Sequence, residues 1–261
     1  MKHTIKERQV ILVRGDRVSG EKVRFADEGP LSLAVSGRVV TVLMATPGSE
    51  RELAAGYALT MGWIPSGDRP PRAVYDPNLG RVDLDLEVPP EKLGGARAAG
   101  GGLLGPMEAD RLAPGGGLEL GVLRALTETM SKAQTLYLPT RGTHAAALFS
   151  ARGEILALAE DVGRHNGLDK AVGSAWLAGS LAKAAALALS GRCSLEMVLK
   201  SVRSGVGVVV SVSAPTVPAV ETADRLGLTL VNCSKREELK IYTHPARITM
   251  HGKPLGISLG S

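Results

Sequence analysis

Residues 160–170 read Glu-Asp-Val-Gly-Arg-His-Asn-Gly-Leu-Asp-Lys, so Glu160, Asp161, Arg164, His165, Asn166, Asp169 and Lys170 crowd into one short stretch. Such a set can hold an anion, move a proton at the imidazole, or cap a helix. An apolar run at 155–159 precedes it, and an apolar helical pattern at 168–177 follows. A strand therefore delivers a polar cluster to the start of a helix, where open α/β folds place their ligands.

Other polar segments leave apolar runs in the same way. They are Gly191-Arg192, the hydroxyl-rich stretch 211–216, and Asn232-Cys233-Ser234-Lys235-Arg236-Glu237-Glu238, with Lys240, Tyr242 and His244 beyond. Loops at the carboxyl ends of such strands converge on one sheet edge. Arg164, Arg192, Lys235 and Arg236 would then surround backbone N–H groups at helix starts, which favours phosphate or pyrophosphate. Simpler roles compete at each position. His165 can hydrogen-bond a loop, Asn166 and Asp169 can cap a helix, and 235–238 can be a solvated turn. His144 lacks the following acid and the cysteine pair of a zinc deaminase, so no metal site is expected. No Gly-x-Ser-x-Gly elbow supports a hydrolase triad.

The elements that would position these residues follow from periodicity. Residues 10–13, 31–35 and 39–43 read as short strands, with Ser36-Gly37 as a hairpin signal. Ser49-Glu50-Arg51-Glu52 reads as a capping box, opening a helix with Leu53, Tyr57 and Met61 on one face. Residues 81–86 alternate as a half-buried strand. A breaker-rich stretch, 94–117, separates two parts, and 119–132 is a further helix. Beyond it come paired strands at 145–149 and 155–159, then a helix capped by Asn166 and carrying Leu168, Val172, Ala175 and Trp176. A strand at 184–189, a helix after Ser194, a strand at 206–212, a helix opened by Pro215, and a strand at 228–231 complete an α/β pattern with a largely parallel sheet. The division is an N-terminal subdomain 1–92, a Gly-rich loop 93–118 and an α/β domain 119–261.

Composition limits the partners. The net charge is +5 with a pI near 9.3, which suits an anionic cofactor. No Lys/Arg run is interleaved with aromatics, so nucleic acid is not indicated. Residues 1–15 contain no apolar h-region and no apolar run spans a bilayer, which implies no membrane and a cytoplasmic protein. Cys193 and Cys233 are the only cysteines and lack metal-ligand spacing.

The 160–170 stretch resembles the signature E-D-V-G-R-H-N-A-L-D-K of the formate dehydrogenase accessory sulfurtransferases, the FdhD/NarQ family. Thr143-His144-Ala145-Ala146, Gly191-Arg192-Cys193-Ser194-Leu195-Glu196-Met197-Val198, Ser213-Ala214-Pro215-Thr216, 227–231 and 241–248 fit as well, and Thr46-Pro47 fits more loosely. The resemblance implies a cytidine deaminase-like α/β fold, with a mixed or parallel sheet, flanking helices and a smaller N-terminal subdomain, assembled as a homodimer. It implies a sulfur carrier that takes sulfur from a cysteine desulfurase and passes it to the molybdenum cofactor of formate dehydrogenase. It also implies binding of that cofactor, molybdenum bis(molybdopterin guanine dinucleotide). Asp161, Gly163, Arg164, His165, Asn166, Lys170, Arg192, Cys233, Ser234, Lys235, Arg236, Glu237 and Glu238 would contact it.

Two departures stand out. Cys233, Lys235 and Glu238 replace a Phe, an Arg and a basic residue of the family's cofactor segment. More consequentially, Gly101 and Leu104 occupy the two cysteine positions of the family's C-G-x-C-G loop. A persulfide needs a thiolate, which neither residue supplies. Cys233, beside Lys235 and Arg236, is the better placed substitute nucleophile, ahead of Cys193. The expected function is an accessory protein for formate dehydrogenase maturation. The alternative is a non-catalytic cofactor holder or chaperone; a nucleotide deaminase is a third reading, opposed by the missing zinc ligands.

Overall fold

A computed structural model describes residues 4–65, 67–89, 92, 108–235 and 238–256. The chain opens with β1 (Ile5–Arg14) and β2 (Arg17–Ala26), an antiparallel ribbon bonded to no other strand among the described residues. Next come β3 (Gly29–Val35), β4 (Arg38–Ala45), α1 (Glu50–Thr60), β5 (Arg72–Asp76) and β6 (Arg81–Asp85). These strands form a sheet in the order β4-β3-β6-β5. Alternation explains the burial: Leu31, Leu33 and Val35 of β3 and Val82 and Leu84 of β6 point at α1, which returns Leu53, Tyr57 and Ala58.

The larger unit begins at β7 (Leu118–Glu119), α2 (Leu120–Ala133) and a short helix α3 (Tyr137–Thr140). There follow β8 (His144–Phe149), β9 (Ile155–Asp161), α4 (Arg164–Leu177), β10 (Ala186–Arg192), α5 (Leu195–Arg203), β11 (Val208–Ser213), α6 (Val217–Leu226), β12 (Thr229–Lys235) and β13 (Glu238–Ile241). The sheet order is β13-β12-β11-β10-β8-β9. Only β10, β11 and β12 pair in parallel; β8, β9 and β13 join antiparallel, so the sheet is mixed rather than largely parallel. Both faces are covered. Ala146, Leu148, Leu187, Leu189, Val209 and Leu230 face α4, α5 and α6, while Ala145, Ala147, Phe149, Ala188, Val210 and Val231 face α2. Double-sided burial is why these strands read as continuous apolar runs. Each large side chain so buried contributes about 1.5–3 kcal/mol. A small sheet of β7, β14 (Ile248–Met250) and β15 (Lys253–Pro254) closes the chain.

Several boundaries differ from the sequence reading. Ser49 has φ 60° and its side chain makes no capping bond; Glu50 Oε1 instead accepts the Gly48 N–H at 2.7 Å. α4 starts at Arg164 with Gly163 at the N-cap, because Asn166 is drawn inside the helix by the Met44 carbonyl, 2.7 Å from its amide. α6 starts at Val217 after Thr216, and Pro218 rather than Pro215 occupies its first turn.

The two units meet where α1 crosses α4. Gly56 and Gly173 place backbone directly on backbone: a methyl on Gly56 would overlap the Asp169 carbonyl, and one on Gly173 the Glu52 carbonyl. Beside this crossing lies a buried ion pair. Lys200 Nζ donates to both Asp169 oxygens at 2.8 and 2.7 Å, and Thr60 Oγ1 donates to Asp169 Oδ1 at 2.7 Å. Burial pushes the Asp169 carboxyl above the usual carboxylate range, and Lys200 opposes that rise. Gly173→Ala should therefore destabilise the protein by about 1–3 kcal/mol in urea unfolding. Gly121→Ala, where nothing lies within 4 Å of the added methyl, should be neutral or slightly stabilising.

Candidate functional site

β9, β10, β11 and β12 run in one direction, so the polar segments that follow them share one sheet edge, where β8 also begins at His144. Adjacent residues at a strand end point to opposite faces, and the pair Glu160-Asp161 divides accordingly. Glu160 turns toward α3. It accepts the N–H groups of Thr135, Leu136 and Tyr137 at 2.6, 2.8 and 2.7 Å and the Thr143 hydroxyl at 3.2 Å. Asp161, fully buried, turns toward the N-terminal unit. It accepts the N–H groups of Thr46 and Gly163 and the Asn166 amide, and pairs with Lys170 at 2.7 Å. Lys170 also donates to the Thr46 carbonyl at 2.6 Å, and Thr46 Oγ1 accepts the Val162 N–H. Asp161, Asn166, Asp169 and Lys170 thus direct their polar atoms at the chain's own backbone and side chains.

Arg164 and His165 are different. Arg164 Nε, His165 Nε2 and Ser194 Oγ are buried atoms with no hydrogen-bond partner among the described residues. They come from the first turn of α4 and the N-cap of α5, where Ser194 leaves its own helix uncapped. Between these helix starts Gly191 presents bare backbone: a methyl there would lie 3.2 Å from His144 Nδ1 and 3.7 Å from Arg164 Cδ. Glu196 Oε2 stands 3.1 Å from His165 Nε2 but is not aligned for a hydrogen bond. Burial first, then the charges of Lys200, Arg164 and His144, hold His165 down at about 3. His144, half-buried, is also held below its ordinary value, by burial and then by Arg164. The imidazoles are therefore neutral at physiological pH, and the fixed positive charge comes from Arg164 and from two helix dipoles.

A cavity of about 410 Å3 adjoins this cluster through His144. Tyr137, Arg141, Thr143, Ser190 and Val212 are among its walls, with the Arg141 guanidinium 5.1 Å from the Tyr137 ring centroid. No group of three or more His, Cys, Asp or Glu side chains suited to a metal occurs among the described residues.

The remaining expected residues lie elsewhere on the edge. Arg192 is exposed at the end of β10. Cys233 is buried on the α2 face of β12, where its sulfur accepts from Thr127 Oγ1 at 3.6 Å. Ser234 is exposed, and Glu238 is exposed and pairs with Lys240 at 3.4 Å. Lys235 ends β12; its side chain, together with Arg236, Glu237, Gly101 and Leu104, lies outside the described residues. The β12 end is four strand spacings from β9, about 19 Å. The edge thus gathers Arg164 and His165 tightly and sets the Cys233 segment at its far side. Sequence reasoning set Gly191 on this edge but missed Ser194, Glu196 and His144 as neighbours of Arg164 and His165, although the matching G-R-x-S-x-E and T-H-A-A patterns hinted at them.

Two outcomes follow. Lys170→Met strands a fully buried carboxylate and should cost about 3–5 kcal/mol, with partial recovery in Asp161→Asn, Lys170→Met. For His165, the unfolded chain takes up a proton near ~6.5 while the folded chain refuses it until about 3. The unfolded state binds more protons across that window, so stability falls as pH drops from ~6.5 toward 3. His165→Asn should flatten that part of the stability–pH curve; an unaltered slope would contradict the burial argument.

Comparison with known proteins places the chain. The profile of the FdhD/NarQ family matches residues 26–249. The sulfur carrier protein FdhD of Mycobacterium bovis is 32% identical, aligned over 95% of this chain and 100% of its own length. That of Anaeromyxobacter dehalogenans is 34% identical over 87% of this chain and 89% of its own. A crystal structure from Desulfotalea psychrophila, described as a candidate formate dehydrogenase accessory protein, superposes with a TM-score of 0.80 at 25% identity, covering 94% of this chain and 100% of that one. With the signature, the mixed sheet and the relatives in agreement over nearly the whole length, the chain belongs to the FdhD/NarQ family.

Proposed function

We propose that this chain is a cytoplasmic, homodimeric accessory protein for formate dehydrogenase that binds the enzyme's molybdenum bis(molybdopterin guanine dinucleotide) as cargo. The observation that carries this reading is the trio of orphaned buried atoms, Arg164 Nε, His165 Nε2 and Ser194 Oγ, at two helix starts. A buried polar atom without a partner costs about 1–3 kcal/mol. Diphosphate oxygens would accept from the guanidinium and the hydroxyl, and from the imidazole in its Nε2-protonated form, and would meet both helix dipoles. The adjoining cavity of about 410 Å3 is within the size range of small-molecule sites and offers the Tyr137 ring to a flat heterocycle. The Cys233 segment lies on the same edge, where a cofactor with two dinucleotide arms can extend.

Relatives are named sulfur carriers, and sulfur taken from a cysteine desulfurase is the second reading. Two observations favour holding the cofactor over relaying sulfur. Burial pushes the Cys193 thiol up to about 12, so it is not a thiolate at neutral pH. Cys233 is only 4% exposed and packs behind Thr127.

Calorimetric titration with GDP tests the binding claim. Wild type should bind, and Arg164→Ala and Ser194→Ala should each weaken binding by roughly tenfold or more. Folded wild type that ignores millimolar GDP would refute it. Incubation with a cysteine desulfurase, cysteine and a persulfide-specific alkylating probe should leave both thiols unlabelled. Label on Cys233 that disappears in Cys233→Ser would restore the carrier reading.

A further inference from the structure

The β1–β2 ribbon carries exposed apolar side chains near its tip. Its two strands, 10 residues each, pair from Ile5↔Ala26 to Arg14↔Arg17, a span of about 30 Å. A lone two-stranded ribbon is marginal in water. The base is fastened: Asp27 N–H donates to the Thr4 carbonyl at 2.9 Å, Lys6 pairs with Asp27 at 2.7 Å, and α3 packs on β2. The distal half instead shows Ile11, Val13 and Val18 at 78%, 62% and 70% exposure. Alternation and the pairing of Val13 with Val18 set all three on one face, where the Gln9 side-chain amide lies over Gly20, opposite Ile11.

Charge says what kind of surface would cover that patch. Residues 5–26 hold the cations Lys6, Arg8, Arg14, Arg17, Lys22 and Arg24 against the anions Glu7, Asp16 and Glu21. Arg24 pairs with Glu7, whereas Arg14, Arg17 and Lys22 around the tip make no ion pair among the described residues. A second copy would bring the same cations against them. A phosphate backbone would meet Asp16 and Glu21, and the aliphatic tip offers no ring for base stacking. An acidic protein surface with an apolar centre satisfies both the patch and its cationic rim, and the open strand edges add main-chain bonding.

We propose that the β1–β2 ribbon is a docking arm for such a surface. The choice of formate dehydrogenase as the protein that presents it rests on the accessory reading above. The test is the affinity of the full chain for formate dehydrogenase of the same organism, at low and high salt, alongside the GDP titration. Wild type should bind, more weakly as salt rises, and Arg14→Glu, Arg17→Glu and Ile11→Ser, Val18→Ser should each lose roughly tenfold or more. Their melting temperature and GDP affinity should stay at the wild-type level. Equal affinity of wild type and both double variants would overturn the proposal. So would a wild-type dimer that dissociates in these variants, or tip-dependent binding to anionic vesicles or a DNA duplex in place of the enzyme. Intact GDP binding with no binding to the enzyme would sink the docking arm and leave the cofactor reading standing. Ribbon-dependent docking without GDP binding would do the reverse.

Discussion

The buried pair of Asp161 and Lys170 is the interaction on which the rest of the site depends. Two charges leave water together, which is favourable only when their remaining hydrogen-bonding capacity is met. Here Asp161 receives two N–H groups and an amide besides the ammonium, and Lys170 also reaches the Thr46 carbonyl. The partners lie on both sides of the unit boundary, so the end of β4 and the start of α4 are fixed by one network. That fixes where Arg164 and His165 stand. Glu160, facing the other way, fixes the start of α3 and with it one wall of the cavity.

The signature is therefore mostly scaffold. Its polar residues divide into those that bind the chain to itself and the two that leave polar atoms unanswered at helix starts. The contrast is physical: an inward carboxylate surrounded by N–H donors is finished, whereas the Arg164 guanidinium nitrogen beside bare glycine backbone keeps a donor unused. Neutral imidazoles there avoid adding charge that an uncovered site would have to solvate.

Much of this was legible in the sequence. The α/β class, the paired strands around Gly153 and the helix faces of Leu168, Val172 and Ala175 follow from periodicity, which local side-chain direction enforces. The inward roles of Asn166, Asp169 and Lys170 were not legible, because their partners Met44, Thr60 and Thr46 are more than a hundred residues away. One local clue existed: neighbouring acids at a strand end cannot both face one ligand. Ser49 and Pro215 misled because a left-handed backbone at Ser49 and a second proline at 218 displaced the expected caps. Reading the sheet as largely parallel gave the hairpin around Gly153 too little weight, since β8 and β9 pair antiparallel within the mixed sheet that the family resemblance allowed.

The touching helices at Gly56 and Gly173 have a mechanical consequence. Where peptide meets peptide, no layer of side chains exists that could switch rotamers and let one body glide or swing against the other. The crossing is a weld, not a joint. Were the proposed cofactor to bind, the segments bordering the sheet edge would have to move to admit it, while the bodies behind them stay fixed.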